Sequence, residues 1–160
     1  MADIPPVVAR TTWTEADYES MNWHDSALHA IAWQPLPEEP GRFLLDLDYI
    51  SQWVAPKPPS RLLSSWISPA TLVFEPAWDL VTEMDRNGWS FQLFLNAIRR
   101  SEPDERGNYD WTLAGDGVTI TFGAPGFTQY LRRPPILCAG PILPVEERGG
   151  FGFDRRAYGR

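Results

Sequence analysis

The sequence predicts a mainly β fold: a curved antiparallel sheet or open barrel-like meander with one or two short helices, an α+β arrangement being the alternative. Three observations point there. Apolar and polar residues alternate with a period of two, the alternating runs are short and recur at hairpin spacing, and Gly, Pro, Asn and Asp fill the gaps.

Residues 1–12, with Pro5-Pro6, read as an N-terminal arm. Thr14, Glu15 and Asp17 form a helix start, because a hydroxyl caps free N–H groups and carboxylates suit the positive helix end. That helix should stop by Met21. The apolar string ALHAIAW follows Ser26 and is broken by Pro35, Pro37, Pro40 and Gly41. Residues 42–50 place Phe43, Leu45, Leu47 and Tyr49 on one face and Leu44, Asp46 and Asp48 on the other, so the two runs make a long-looped hairpin.

Ala55-Pro56-Lys57-Pro58-Pro59-Ser60 is a loop, since proline donates nothing to a ladder. Residues 70–75 are the next strand, closed by Pro76, with 78–84 continuing it after a bend and Asn87-Gly88 signalling a turn. Residues 91–99 fit a helical face through Phe91, Phe94, Leu95 and Ile98, and a strand face through Phe91, Leu93, Leu95 and Ala97. Their strand neighbours favour the strand. Runs 108–113 and 118–122 flank Ala114-Gly115-Asp116-Gly117, the clearest hairpin of the chain, and residues 127–133 return after Pro125-Gly126. One globular domain is expected over 13–145, and 146–160, glycine-containing and poor in aliphatics, reads as a flexible C-terminal tail.

Composition narrows the function classes. The chain has 160 residues, 43% of them hydrophobic, with a net charge of −7 and a single cysteine, Cys138. One cysteine rules out an intramolecular disulfide and a cysteine-based zinc site. No run reaches the roughly 18 apolar residues of a membrane span, and Met1-Ala2-Asp3-Ile4 lacks the basic start of a secretory signal. A cytoplasmic protein that engages no membrane is the expectation. The acidity is localised: residues 1–98 carry a balance of −8 and residues 99–160 one of +1. Such a surface repels phosphate backbones, so nucleic acid is not an expected partner, whereas a basic protein surface is.

The residues with most chemistry lie close together in sequence: His24, Asp25, His29, Asp46 and Asp48. If the first hairpin pairs residues whose numbers sum to about 75, His29 faces Asp46 and Ala27 faces Asp48. His24, His29, Asp46 and Asp48 then offer the imidazole and carboxylate donors of a Zn or Mn site. A cross-strand His–Asp hydrogen bond explains the same pattern without a metal. No Gly-x-Ser-x-Gly elbow or phosphate loop is present, and Cys138 sits between Leu137 and Ala139, where an inert thiol is expected. The eight tryptophans suggest sugar stacking, but no two are spaced i, i+2, so most are assigned to the core.

Trp23-His24-Asp25, then Leu45-Asp46-Leu47-Asp48-Tyr49-Ile50 with Trp53, then Pro69-Ala70-Thr71-Leu72-Val73-Phe74-Glu75, resemble a family of small bacterial proteins of uncharacterised activity. Gly126-Phe127 and Arg132 with Pro135 fit the same pattern, so the resemblance spans about residues 21–135. It implies no activity. In general character the chain is similar to immunity proteins that neutralise bacterial toxins. Two functional expectations follow. The first is a non-enzymatic acidic binding domain of this immunity type, without a cofactor, docking a basic protein partner through Asp25, Asp46, Asp48 and Glu75. The alternative is a divalent-metal-binding protein or hydrolase using His24, His29, Asp46 and Asp48.

Overall fold

Strict alternation in residues 42–50 leaves that strand two faces to cover, and the rest of the chain is arranged around both of them. A computed structural model describes residues 4–6, 8–85 and 92–160. The expected turn at Asn87-Gly88, together with Trp89 and Phe91, lies outside the described residues. Among those described, the strands are β1 (Thr12–Thr14), β2 (Ala27–Gln34), β3 (Arg42–Val54), β4 (Ser64–Phe74), β5 (Trp78–Met84), β6 (Leu93–Arg100), β7 (Tyr109–Gly115), β8 (Val118–Ala124), β9 (Thr128–Leu131) and β10 (Ile136–Ala139). They form one antiparallel sheet in the order β1-β9-β4-β3-β2-β6-β7-β8-β5, with β10 beside β9 on the long strand β4. The sheet curls but does not close: β1 and β5 are its two ends. A 3-10 helix (Glu15–Ser20) and a single turn, α1 (Val145–Arg148), complete it.

The expected helix start is present in tightened form. The Asp17 carboxylate accepts the Thr14 N–H at 3.0 Å, and the turn stops at Ser20, where the Met21 N–H returns to the Tyr18 carbonyl. The ambiguous stretch is a strand from Leu93 onward. Asp116-Gly117 makes the expected tight turn between β7 and β8, with Gly117 at φ 69°, a conformation that glycine adopts without a steric penalty.

Phe43, Leu45, Leu47 and Tyr49 point into the main core, as the alternation requires. There Phe74 lies edge-on to Phe122 at 4.6 Å and to Trp111 at 5.1 Å, and Phe127 packs edge-on to Trp111 at 5.8 Å. Each such pair contributes about 0.5–1.5 kcal/mol beyond its buried area. The buried Trp111 indole donates to the Ala124 carbonyl and that of Trp23 to the Gln129 side chain. Trp23, Trp66 and Trp111 are buried, whereas Trp33 and Trp53 keep about two-fifths of their surface in solvent.

Residues 70–75 continue less simply than a bend. After Pro76 the Ala77 N–H bonds the Gly41 carbonyl, and the chain leaves β3 to pair with β8, so β5 belongs to the far end of the sheet. Gly123 on β8 makes room for the Trp78 ring, which stands where a β-carbon would be.

The other face of β3 is also buried. Leu44, Asp46 and Asp48 are buried there, and Asp46 and Asp48 bond residues of the segment 146–160. The segment expected as a flexible tail folds back on the sheet: Arg148 and Ala157 are buried, and the Tyr158 N–H bonds the Leu131 carbonyl. What the aliphatic count of 146–160 could not show is that a guanidinium, rather than a hydrocarbon, anchors it.

Candidate functional site

Asp46 and Asp48 project from the same face of β3, two residues apart, as a period of two dictates. Isolated there they would each carry a large desolvation cost. Two arginines from distant parts of the chain meet them. Arg148, on α1, donates to both oxygens of Asp46 at 2.6 and 2.9 Å and through its Nε to Asp48 at 3.0 Å. Its remaining donors reach the carbonyls of Gly150 and, at 3.5 Å, Leu47. Arg132, just beyond β9, donates to Asp46 at 2.6 Å and to the Thr71 hydroxyl at 2.9 Å. Backbone N–H groups complete the shells, from Gly152 to Asp46 and from Leu143 to Asp48.

Burial alone would push the Asp46 carboxyl up. Hydrogen bonds from Arg148, Arg132 and the Gly152 N–H outweigh that and hold it below the usual carboxylate range. Burial likewise works against the charge on Arg148, but the two carboxylates raise its pKa above the ordinary arginine value. The cluster is a fixed set of ion pairs.

His29 completes it by a route that differs from the expected register. Leu28 does pair with Leu47, a sum of 75, but a bulge between Leu28 and Ala30 takes His29 out of the ladder, and Ala30 pairs with Asp46. The imidazole therefore meets Asp48, its Nε2 lying 2.8 Å from a carboxylate oxygen. Its side chain is only 4% exposed and lies beside the Phe151 ring. The expected pairing of His29 with Asp46 is corrected by that single extra residue.

The other candidate residues lie elsewhere. His24 is exposed and pairs with the neighbouring Asp25, whose φ of 64° places it in the left-handed region. Glu75, at the end of β4, holds Arg42 at 3.1 Å and Arg155 at 2.6 Å. His24, His29, Asp46 and Asp48 are thus not brought to one point, and among the described residues no group of three or more His, Cys, Asp or Glu side chains is placed to hold a metal ion. Nor do Asp46 and Asp48 offer an acidic surface: both side chains are fully buried and already paired with guanidinium groups. The hydrogen bond of His29 goes to Asp48, and no serine or cysteine is bonded to it among the described residues.

Sequence reasoning missed Arg132 and Arg148. The signal was present as the shift from a balance of −8 to +1 across the chain, since carboxylates on a strand with two covered faces need cations from elsewhere. Exposed carboxylates are spread over the surface, from Glu38, Glu39 and Glu75 to Glu146, Glu147 and Asp154, and one group of them lies around the β5 end of the sheet. Asp79, Glu83 and Asp85 lie on or just after β5, Glu102, Asp104 and Glu105 on the β6–β7 loop, and Asp116 at the β7–β8 turn. Trp78 lines a hollow of about 480 Å³ with Asp104, Glu105, Arg106 and Asn108. Glu83, Met84 and Asp85 line another of about 340 Å³ with Gly117 and Thr119.

Fold and site together define an open antiparallel sheet whose buried carboxylates are internally paired and whose other carboxylates are largely exposed, one group of them around β5. No family model matches the chain, and neither a curated protein nor a solved structure matches it. No helix among the described residues is long and apolar enough to cross a membrane.

Proposed function

We propose that the chain is a non-enzymatic acidic binding domain that docks a protein partner through that partner's basic surface. Its specific form is an immunity-type protein whose partner is a toxin. The observation that carries the reading is where the charge resides. Asp46 and Asp48 are balanced inside by Arg132 and Arg148, so the net −7 belongs to the remainder of the chain. A field of that sign attracts a basic protein, accelerates association and makes it sensitive to salt, because exposed charges are screened beyond about 10 Å at 0.1 M salt. The His29–Asp48 pair is covered and has no serine or cysteine bonded to it among the described residues, which supports binding over hydrolysis.

The test is affinity capture from native lysate at low and high salt, followed by reconstitution with the purified partner. A specific basic partner is expected, released as salt rises. Absence of any specific partner at either salt refutes the reading.

A further inference from the structure

The sheet ends at β5, a strand of seven residues that pairs with β8 on one side only among the described residues. An open edge carries unpaired N–H and C=O groups, and natural proteins commonly blunt such edges with lysine or proline. Residues 78–85 read WDLVTEMD and contain neither. The opposite end, β1, is three residues long. The longer terminal edge among the described residues therefore has neither, and although a register shift between Trp78 and Val81, with Asp79 at φ 54°, interrupts it, Val81–Met84 is left as a regular open stretch.

Its side chains specify what could lie beside it. Thr82 and Met84 pair with Ile120 and Val118, both buried in the core, so they share the core-facing side. Met84 is nevertheless 62% exposed, because the sheet stops there. Val81 and Glu83 pair with Thr121 and Thr119 and share the outer side. An added strand would cover Met84 with every second residue and meet Glu83 with the residues between. The charge described around it is mostly acidic: Asp79 and Glu83 lie on the strand and Asp85 directly follows it, and Asp104 and Glu105 lie beside its first residue, with Arg106 the cation of that hollow.

We propose that the open edge of β5 receives an extended segment of the partner protein, alternating basic with apolar residues, as an additional strand. The inference rests on the binding reading above and names its surface. Main-chain ladder bonds provide the affinity in such an arrangement and alternate side chains the specificity. A second copy of this chain fits poorly. Antiparallel self-pairing centred on Thr82 sets Asp79 against Asp85, and parallel in-register pairing sets Glu83 beside Glu83. Lysine or arginine in the incoming strand removes that repulsion.

The probe is a peptide of β5's length alternating lysine with leucine, against the same peptide N-methylated at consecutive backbone nitrogens, which keeps the charge and removes the ladder donors from both edges. Binding is measured by anisotropy, and hydrogen exchange of the whole chain locates it. The lysine–leucine peptide should bind and slow exchange in residues 79–85. The N-methylated peptide, and the unmethylated lysine–leucine peptide on a Glu83→Lys/Asp85→Lys double variant of unchanged thermal midpoint, should bind at least about tenfold more weakly. Equal binding of both peptides, or protection away from β5, overturns the proposal. Protection of β5 that grows with protein concentration alone also overturns it, making the occupant a second copy. Salt-sensitive capture of the natural partner that persists in the double variant removes the β5 edge and leaves the binding function standing. Failure of capture by the wild type removes both.

Discussion

Replacing Arg148 by methionine keeps a long apolar stem and deletes the guanidinium. Asp46 then keeps only Arg132 and the Gly152 N–H, and Asp48 keeps His29 and the Leu143 N–H. Both carboxylates remain beneath the same cover, so breaking the pair leaves buried charge only partly compensated, a change that costs about 3–5 kcal/mol. Against a total stability of about 5–15 kcal/mol for a domain of ordinary kind, that is a large fraction. With a urea slope of about 2 kcal/mol per molar, the midpoint should fall by about 1.5–2.5 M. Arg148→Met combined with Asp46→Asn and Asp48→Asn should recover a substantial part of the loss, because the neutral amides no longer need a buried cation. The assay is equilibrium urea unfolding followed by tryptophan fluorescence, with trypsin cleavage at Arg155 and Arg156 reporting whether the last residues still dock. A midpoint shift below about 0.5 M for Arg148→Met, or no recovery in the triple variant, would refute the claim that this ion pair holds the segment to β3.

Three further outcomes are expected. The folded-state pKa of Asp46 lies below its ordinary value of 3.8, so its contribution is fully present above that value and is lost as pH falls through the lower one. Thermal midpoints between about pH 2 and 7 should fall less steeply at the acid end for Asp46→Asn than for the wild type, although the variant is less stable at neutral pH. Gly123→Ala should destabilise by about 1–3 kcal/mol and speed exchange in β5, because the new β-carbon would overlap the Trp78 indole ring. Cys138, whose thiol is pushed up by burial and by the nearby Glu147 and Asp48 carboxylates, should react with Ellman's reagent much more slowly in the native protein than in urea.

Local pattern made much of the sheet legible. The alternation of residues 42–50 assigned Phe43, Leu45, Leu47 and Tyr49 to the core face, and Asp116-Gly117 marked its turn, because both are decided by a few adjacent residues. The register of the first hairpin was legible only up to Leu28. A bulge depends on how a strand must bend within the whole sheet, and no residue type in ALHAIAW announces one. β5 was placed in sequence but not in space, since its partner β8 lies more than thirty residues on. The cluster itself was half legible. The histidine and both aspartates were visible as a group, but Arg148 lies about a hundred residues away in a segment with no apolar period to mark it as packed.

That separation bears on how the protein is made. Arg148 follows Asp46 by 102 residues, and translation at about 5–20 residues per second places them about 5–20 s apart. During that interval a nascent chain can zip β2, β3 and β4 together, yet the carboxylate side of β3 has to stay wetted until its cation emerges. Stopping the ribosome anywhere before residue 148 would therefore leave Asp48 without a guanidinium and Asp46 with Arg132 at most.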